Sequence, residues 1–175
     1  MLLDRNACVL LIIDVQERLM PVIHEREAIE KNLVRLIRGA HVLGVPVIIT
    51  EQYVKGLGRT VGSVRDALGE HYAPIEKISF SAATHIDLAG RTQVLIAGVE
   101  THVCVYQTVC ELLAESVNVW VVADAVSSRT SANKDVALRR MASDGARLSS
   151  TEMALFELLR AAGTDEFRAV SALVK

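Results

Sequence analysis

Cys8-Val9-Leu10-Leu11-Ile12-Ile13 is an unbroken apolar run that stops abruptly at Asp14, and its reading decides the fold. The run is too short for a helix of ordinary length and rich in strand-forming residues, so it reads as a strand buried on both faces. A strand with one wet face would alternate apolar and polar residues. A strand without alternation belongs in a parallel sheet covered by helices on either side. Downstream the chain repeats this theme. Ile29, Leu33, Ile37 and Ala40 recur at helical steps, closed by Gly44 and Pro46. Val47-Ile48-Ile49 forms a second strand, followed by the glycine-bearing loop Tyr53-Val54-Lys55-Gly56-Leu57-Gly58. A short helix over 61–68, a third strand over 75–78, a fourth over 94–97 and a helix over 102–115 come next. A fifth strand over 117–123 ends at Asp124; a helix over 133–143 and a weak sixth strand over 146–148 follow. Ser149-Ser150-Thr151-Glu152 then offers a capping box for one more helix.

Strands alternating with helices imply an α/β fold with βαβ crossovers. The 175 residues suit a single domain spanning 1–175, with no repeat or linker. A chain of this size buries enough surface to stand without disulfides or structural metal. Hydrophobic residues make up 51% of it and aromatic ones 4%, so the core is aliphatic. With 19 Lys and Arg against 21 Asp and Glu, scattered along the chain, nothing marks a nucleic-acid or membrane-binding face, and a small molecule is the expected partner. The first apolar run is too short to span a bilayer. Cys8, Cys104 and Cys110 are odd in number and lack C-x-x-C spacing, which points to a reducing compartment, the cytoplasm.

In a doubly wound sheet, ligands bind outside the carboxyl ends of the strands. The residues there are Asp14, Gln52, Tyr53, Lys77, the Gly98–Cys104 segment and Asp124. Each has an ordinary explanation. Asp14 can be a turn or cap residue, Lys77 can snorkel from an edge strand, and a free cysteine is usually a small buried hydrophobe. Taken together, a carboxylate, an ammonium and a thiol at the ends of three strands form an acid/base and nucleophile set. The first turn of the following helix would also favour a Cys104 thiolate. Cys8 and Cys110 read as core thiols. Asp124, with Ser127 and Arg129, reads as a turn held by an Asp–Arg contact, and His102 as a helix-start residue.

Asp14-Val15-Gln16, Glu76-Lys77 and Gly98-Val99-Glu100-Thr101-His102-Val103-Cys104-Val105 resemble the isochorismatase-like cysteine hydrolase family. Thr50-Glu51-Gln52-Tyr53 and Lys55-Gly56-Leu57-Gly58 are closest to its isochorismatase domain-containing branch. The resemblance implies a three-layer α/β/α, Rossmann-like fold with a six-stranded, mostly parallel sheet. It also implies a catalytic triad of Asp14, Lys77 and Cys104, a cis peptide at Val99-Glu100, and an oxyanion hole from the backbone amides of Glu100 and Cys104. Gln16, Gln52 and Tyr53 are expected near substrate. Homo-oligomerisation is implied as well.

Two departures narrow the reading. Family members that hold a metal use Asp-x-His near the second strand, where this chain has Glu51-Gln52-Tyr53-Val54, so neither metal nor other cofactor is expected. Members that cleave a vinyl ether lack the cysteine at the position of Cys104. The expected activity is cofactor-free hydrolysis of a small amide or ureide through a cysteine thioester. The alternatives are an ester or vinyl ether substrate, or a weakly active oligomeric scaffold. The scaffold reading is motivated by Leu155, Phe156, Leu158 and Leu159 crowded on one late helix.

Overall fold

The computed structural model describes residues 1–175. Strands β1 (Cys8–Ile13), β2 (Val47–Gln52), β3 (Ile75–Lys77), β4 (Gln93–Val99), β5 (Asn118–Ser127) and β6 (Arg147–Ser149) form one sheet in the order β3-β2-β1-β4-β5-β6. Every adjacent pair is parallel, so the sheet is wholly rather than mostly parallel.

Alternate residues of β1 serve different layers, which is why the run carries no polar position. Cys8, Leu10 and Ile12 enter the core under α1 (Arg26–Val42), α3 (Gly62–Leu68), α6 (Thr151–Leu159) and α7 (Asp165–Val174). Val9, Leu11 and Ile13 enter a second core under α4 (Tyr106–Ala114) and α5 (Ser131–Ser143). The chain builds outward from β1 to the β3 edge, then crosses back and starts again at β4 on the other side of β1. Strand order therefore reverses between β1 and β4, where a crevice is expected at the carboxyl ends. Asp14 follows one of these two strands and Glu100 the other.

Several boundaries differ from the sequence reading, each for a tertiary reason. β2 continues through Thr50 and Glu51, whose polar side chains are fully buried but hydrogen-bonded. β5 shifts register and runs past Asp124 to Ser127. Asp124 makes no Asp–Arg turn. Its Oδ1 accepts from the Thr151 N–H at 2.8 Å and the Thr151 hydroxyl at 2.9 Å, anchoring the start of α6. The capping box is half formed: Ser150 Oγ accepts from the Met153 N–H, while Glu152 occupies a position too early to return the bond. The glycine-bearing loop contains a helical turn, α2 (Val54–Leu57). α7, which the sequence reading omitted, covers α6. Leu155, Leu158 and Leu159 are buried, Leu155 against Gly39 of α1, and Phe156 meets Phe167 of α7 edge-on at 6.3 Å between ring centroids. The apolar face that motivated a scaffold reading is internal.

Candidate active site

Asp14 leaves β1 with a left-handed backbone, φ 53°, uncommon for a residue other than glycine. Its carboxylate is fully buried. Oδ1 accepts from Thr50 Oγ1 at 2.7 Å, across the β1–β2 register that pairs Ile13 with Thr50. Oδ2 accepts from Lys77 Nζ at 2.6 Å. Lys77 lies on the edge strand β3, yet its side chain turns inward and is wholly shielded from solvent. Its three N–H donors are all used, the other two by Ser79 O at 3.2 Å and Phe80 O at 2.9 Å. A buried ammonium thus meets a buried carboxylate with its remaining protons satisfied, the condition under which such a pair is tolerated.

Cys104 reaches the same place from β4. The Val99-Glu100 peptide is cis, and Thr101–Val105 forms a π-helical turn ahead of α4, with the Val103 and Val105 amides both donating to Glu100 O. Such turns are frequent at functional sites. The thiol lies beside the Asp14 carboxylate and the Glu100 N–H, and Cys104 is 4% exposed. Burial, followed by the Asp14 charge, pushes the thiol up to about 12, against the pull of Lys77 and the Glu100 amide. The helix-start effect expected from sequence is therefore outweighed, and at rest the sulfur keeps its proton. Asp14 is itself held above the ordinary carboxylate range by burial, opposed by Lys77 and by hydrogen bonds from Thr50 and the thiol. The shared proton sits between two groups whose burial disfavours charge on either.

Gln16, expected at substrate, is fully buried and committed to the backbone instead. Its Nε2 donates to Gln52 O at 2.9 Å and Gly58 O at 2.7 Å, and its Oε1 accepts from the Gln52 N–H at 2.8 Å. It straps the α2 loop to the end of β2. Gln52 Nε2 donates to Ile78 O at 3.2 Å, joining β2 to the chain leaving β3. Tyr53 is the most exposed of the three. It is about half exposed and lines an open groove with Val54, Ile78, Ser79 and His85 beside Lys77. His102 turns Nδ1 toward Ser128 Oγ at 2.9 Å, and Arg129 Nε donates to Glu100 Oε1 at 2.8 Å, so both brace the cysteine turn from the β5 side. Thr101 Oγ1, in that same turn, is buried without a partner.

The sequence reading missed Glu51 as a structural centre. Its carboxylate accepts from the Thr60 N–H and hydroxyl, each at 2.7 Å, from Tyr72 OH at 2.5 Å and from Arg59 at 3.0 Å. Burial alone would raise its pKa, but these donors together hold it below the usual carboxylate range. A depressed carboxyl contributes stability that is present above its unfolded pKa and lost as the pH falls through the folded one. Glu51→Gln is accordingly expected to cost about 2 kcal/mol at neutral pH, the scale of hydrogen bonds to a charged group. The gap from wild type should close as pH drops below about 4. Urea unfolding as a function of pH checks this, and a gap independent of pH would refute it.

A doubly wound, all-parallel sheet with an acid, an amine and a thiol gathered at its reversal point places the chain among α/β proteins with a hydrolase-type fold and crevice. The isochorismatase domain family model matches residues 8–153. Isochorismatase domain-containing protein 2A of Mus musculus is 36% identical, over 97% of this chain and 84% of its own. The MAR1 ribonuclease structure from Caenorhabditis elegans superposes with TM-score 0.94 at 35% identity, over 99% of this chain and 92% of that one. YcaC of Pseudomonas aeruginosa, solved with hexane-2,5-diol and covalent acrylamide, gives TM-score 0.89 at 26% identity over 98% of this chain and 91% of its own. Escherichia coli YcaC, an octameric hydrolase of unknown specificity, gives the same TM-score and identity over 98% and 88%. The chain belongs to the isochorismatase family. No helix in it is long and apolar enough to cross a membrane.

Proposed function

We propose that this protein is a cofactor-independent cysteine hydrolase that cleaves a small amide or ureide C–N bond with Asp14, Lys77 and Cys104. The observation that carries the reading is the 2.6 Å Lys77–Asp14 contact, buried on both sides and set against the Cys104 thiol. Because the sulfur rests protonated, attack and deprotonation go together. Asp14 takes the thiol proton as the S–C bond forms, and the carbonyl oxygen gathers negative charge at the Glu100 and Cys104 amides. The C–N bond then breaks as Asp14 returns the proton to the leaving nitrogen. Water, deprotonated by Asp14, adds to the thioester carbon; the C–S bond breaks and the thiolate recovers the proton. Lys77 orients Asp14 and favours its ionised form before each proton is taken up.

The near-complete burial of the site favours a small substrate, with Tyr53 at its rim. Covalent acrylamide in the Pseudomonas relative supports a nucleophile that attacks small amide-bearing electrophiles. The octameric Escherichia coli relative, and exposed Tyr53, Ile78 and Phe80 beside the groove, support a homo-oligomer. Three free cysteines suit a reducing compartment such as the cytoplasm.

The test is competitive acrylamide labelling read by peptide mass spectrometry. Exposure alone ranks Cys110 first, because it is half-buried whereas Cys8 and Cys104 are buried. The proposed chemistry reverses that order, with Cys104 modified about tenfold faster or more. Labelling that follows exposure would remove Cys104 as nucleophile. A companion panel of small amides, ureides, esters and an oligoribonucleotide identifies the bond; ammonia release from an amide or ureide is the expected result. RNA cleavage is not expected from a chain of net charge -2.

A further inference from the structure

Thr108 stands on α4, one helical turn past Cys104, and is fully buried. Its hydroxyl donates to Cys104 O at 2.7 Å, a common bond from a helical threonine to the carbonyl four residues earlier. Its second bond is not local. The Ala82 N–H donates to the same oxygen at 2.9 Å, from a loop that the chain reaches 26 residues earlier. That loop is the one whose Ser79 and Phe80 carbonyls hold the Lys77 ammonium. It is tied further within itself, Ser79 Oγ donating to Ser81 O at 2.8 Å and the Ala83 N–H to Ser81 Oγ at 3.2 Å. Ser81 Oγ in turn donates to Glu111 Oε2 at 2.6 Å. Glu111 lies three residues beyond Thr108, on the same face of α4.

From these contacts we infer that Thr108 is a positioning residue which couples the cysteine turn to the lysine cradle, with Ser81–Glu111 as its outer latch. The inference rests on the hydrolase reading above. A closed circuit runs by hydrogen bonds from Cys104 through Thr108 to Ala82, along the backbone through Ser81 to the Phe80 carbonyl, then through Lys77 to Asp14, which faces Cys104 again. Lys77 has no spare donor, so a shift of the loop pulls the ammonium along or breaks one of its bonds. Displacements of about 1 Å are enough to change a reaction rate by large factors. The hydroxyl of Thr108 spends its only proton on Cys104 O and accepts the Ala82 N–H, both within a fully buried site.

Thr108→Val keeps the shape and removes the hydroxyl, whereas Thr108→Ser keeps the hydroxyl. The expected result is that Thr108→Val slows Cys104 acrylamide labelling and turnover about tenfold or more through kcat, with KM little changed, while Thr108→Ser stays within about threefold of wild type. The acid limb of the labelling profile should also move to higher pH, because a loosened Lys77 does less to keep Asp14 ionised. Thr151→Val, which removes a buried hydroxyl bonded to Asp124 far from the circuit, controls for lost stability. Equal slowing in Thr151→Val, or a Thr108→Val rate and profile matching wild type, would overturn the coupling. Should Thr108→Val fail to fold, Glu111→Ala on the exposed end of the latch decides: slower labelling with a shifted acid limb supports the inference, and an unchanged profile sinks it. Failure of wild-type Cys104 to label ahead of Cys110 would instead overturn the hydrolase reading, and this inference with it.

Discussion

Replacing Lys77 by methionine is expected to destabilise the protein by about 3–5 kcal/mol at neutral pH, the usual cost of removing one partner from a buried ion pair. Methionine fills a similar volume but supplies no proton. Asp14 would keep only Thr50 Oγ1 and the Cys104 thiol as side-chain donors, and the Ser79 and Phe80 carbonyls would lose the ammonium they share. Burial already holds the Asp14 carboxyl above its ordinary range with Lys77 opposing it, so without Lys77 it rises further. The sign of the pH dependence follows. An acid whose folded pKa lies above its unfolded one costs stability when the pH is above the folded value. That cost is relieved as the pH falls through it. The gap between Lys77→Met and wild type should therefore be widest at the alkaline end of a series from about pH 8 to about pH 5, and narrow on acidification. Asp14→Asn combined with Lys77→Met removes the stranded charge, so the double variant should lose less than the sum of the single losses. Urea unfolding across that series measures both. A loss under about 1 kcal/mol that does not change with pH would mean that the carboxyl is already neutral in the wild type, and the acid/base assignment would fail with it.

That experiment addresses a contact which the sequence indicated only in outline. Asp14, Lys77 and the cysteine segment stood out because each interrupts or follows an aliphatic strand, and a parallel sheet brings the carboxyl ends of its strands to one edge. Pattern and topology sufficed for their convergence. The alternation of β1 between two cores was legible for a similar reason, since a strand with no polar position needs cover on both faces. What escaped were contacts made between segments distant along the chain. Nothing local in Gln16 says that its amide closes on Gln52 and Gly58, and nothing local in Glu51 says that Thr60, Tyr72 and Arg59 will gather around it. The sequence pattern ends the fifth strand at Asp124, where the apolar run stops. The strand passes it because Thr151 satisfies the charge from α6. The protonated state of Cys104 was hidden for a related reason. A helix-start position can be read from sequence, whereas the depth of burial and the distance to a carboxylate on another strand cannot.

The second large effect is expected at Gly98, where Gly98→Ala should cost about 4 kcal/mol or more, combining overpacking with backbone strain. Gly98 has φ +120°, and a Cβ built there would lie 2.2 Å from Ile13 O and 2.6 Å from Ile13 N. These are backbone atoms of the paired strand, in the register that sets Ile13 beside Gly98. A side chain could rotate away, but a backbone held in the middle of a six-stranded sheet can yield only if β1 and β4 separate. The residues next in line on the two strands are Asp14 and Val99, the latter preceding the turn that carries Cys104, so any separation opens the gap between the Asp14 carboxylate and the Cys104 thiol. Gly44→Ala provides the comparison. It also lies at positive φ, +67°, but its added Cβ meets nothing within 4 Å. It should lose only the left-handed strain, about 1 kcal/mol. Denaturant midpoints of the two variants separate strain from collision, and acrylamide labelling of whatever fraction of Gly98→Ala folds should show Cys104 no faster than Cys110. Equal losses at the two glycines would mean that β1 and β4 can part without cost. The close approach at the strand reversal would then not be what brings Asp14 against the thiol.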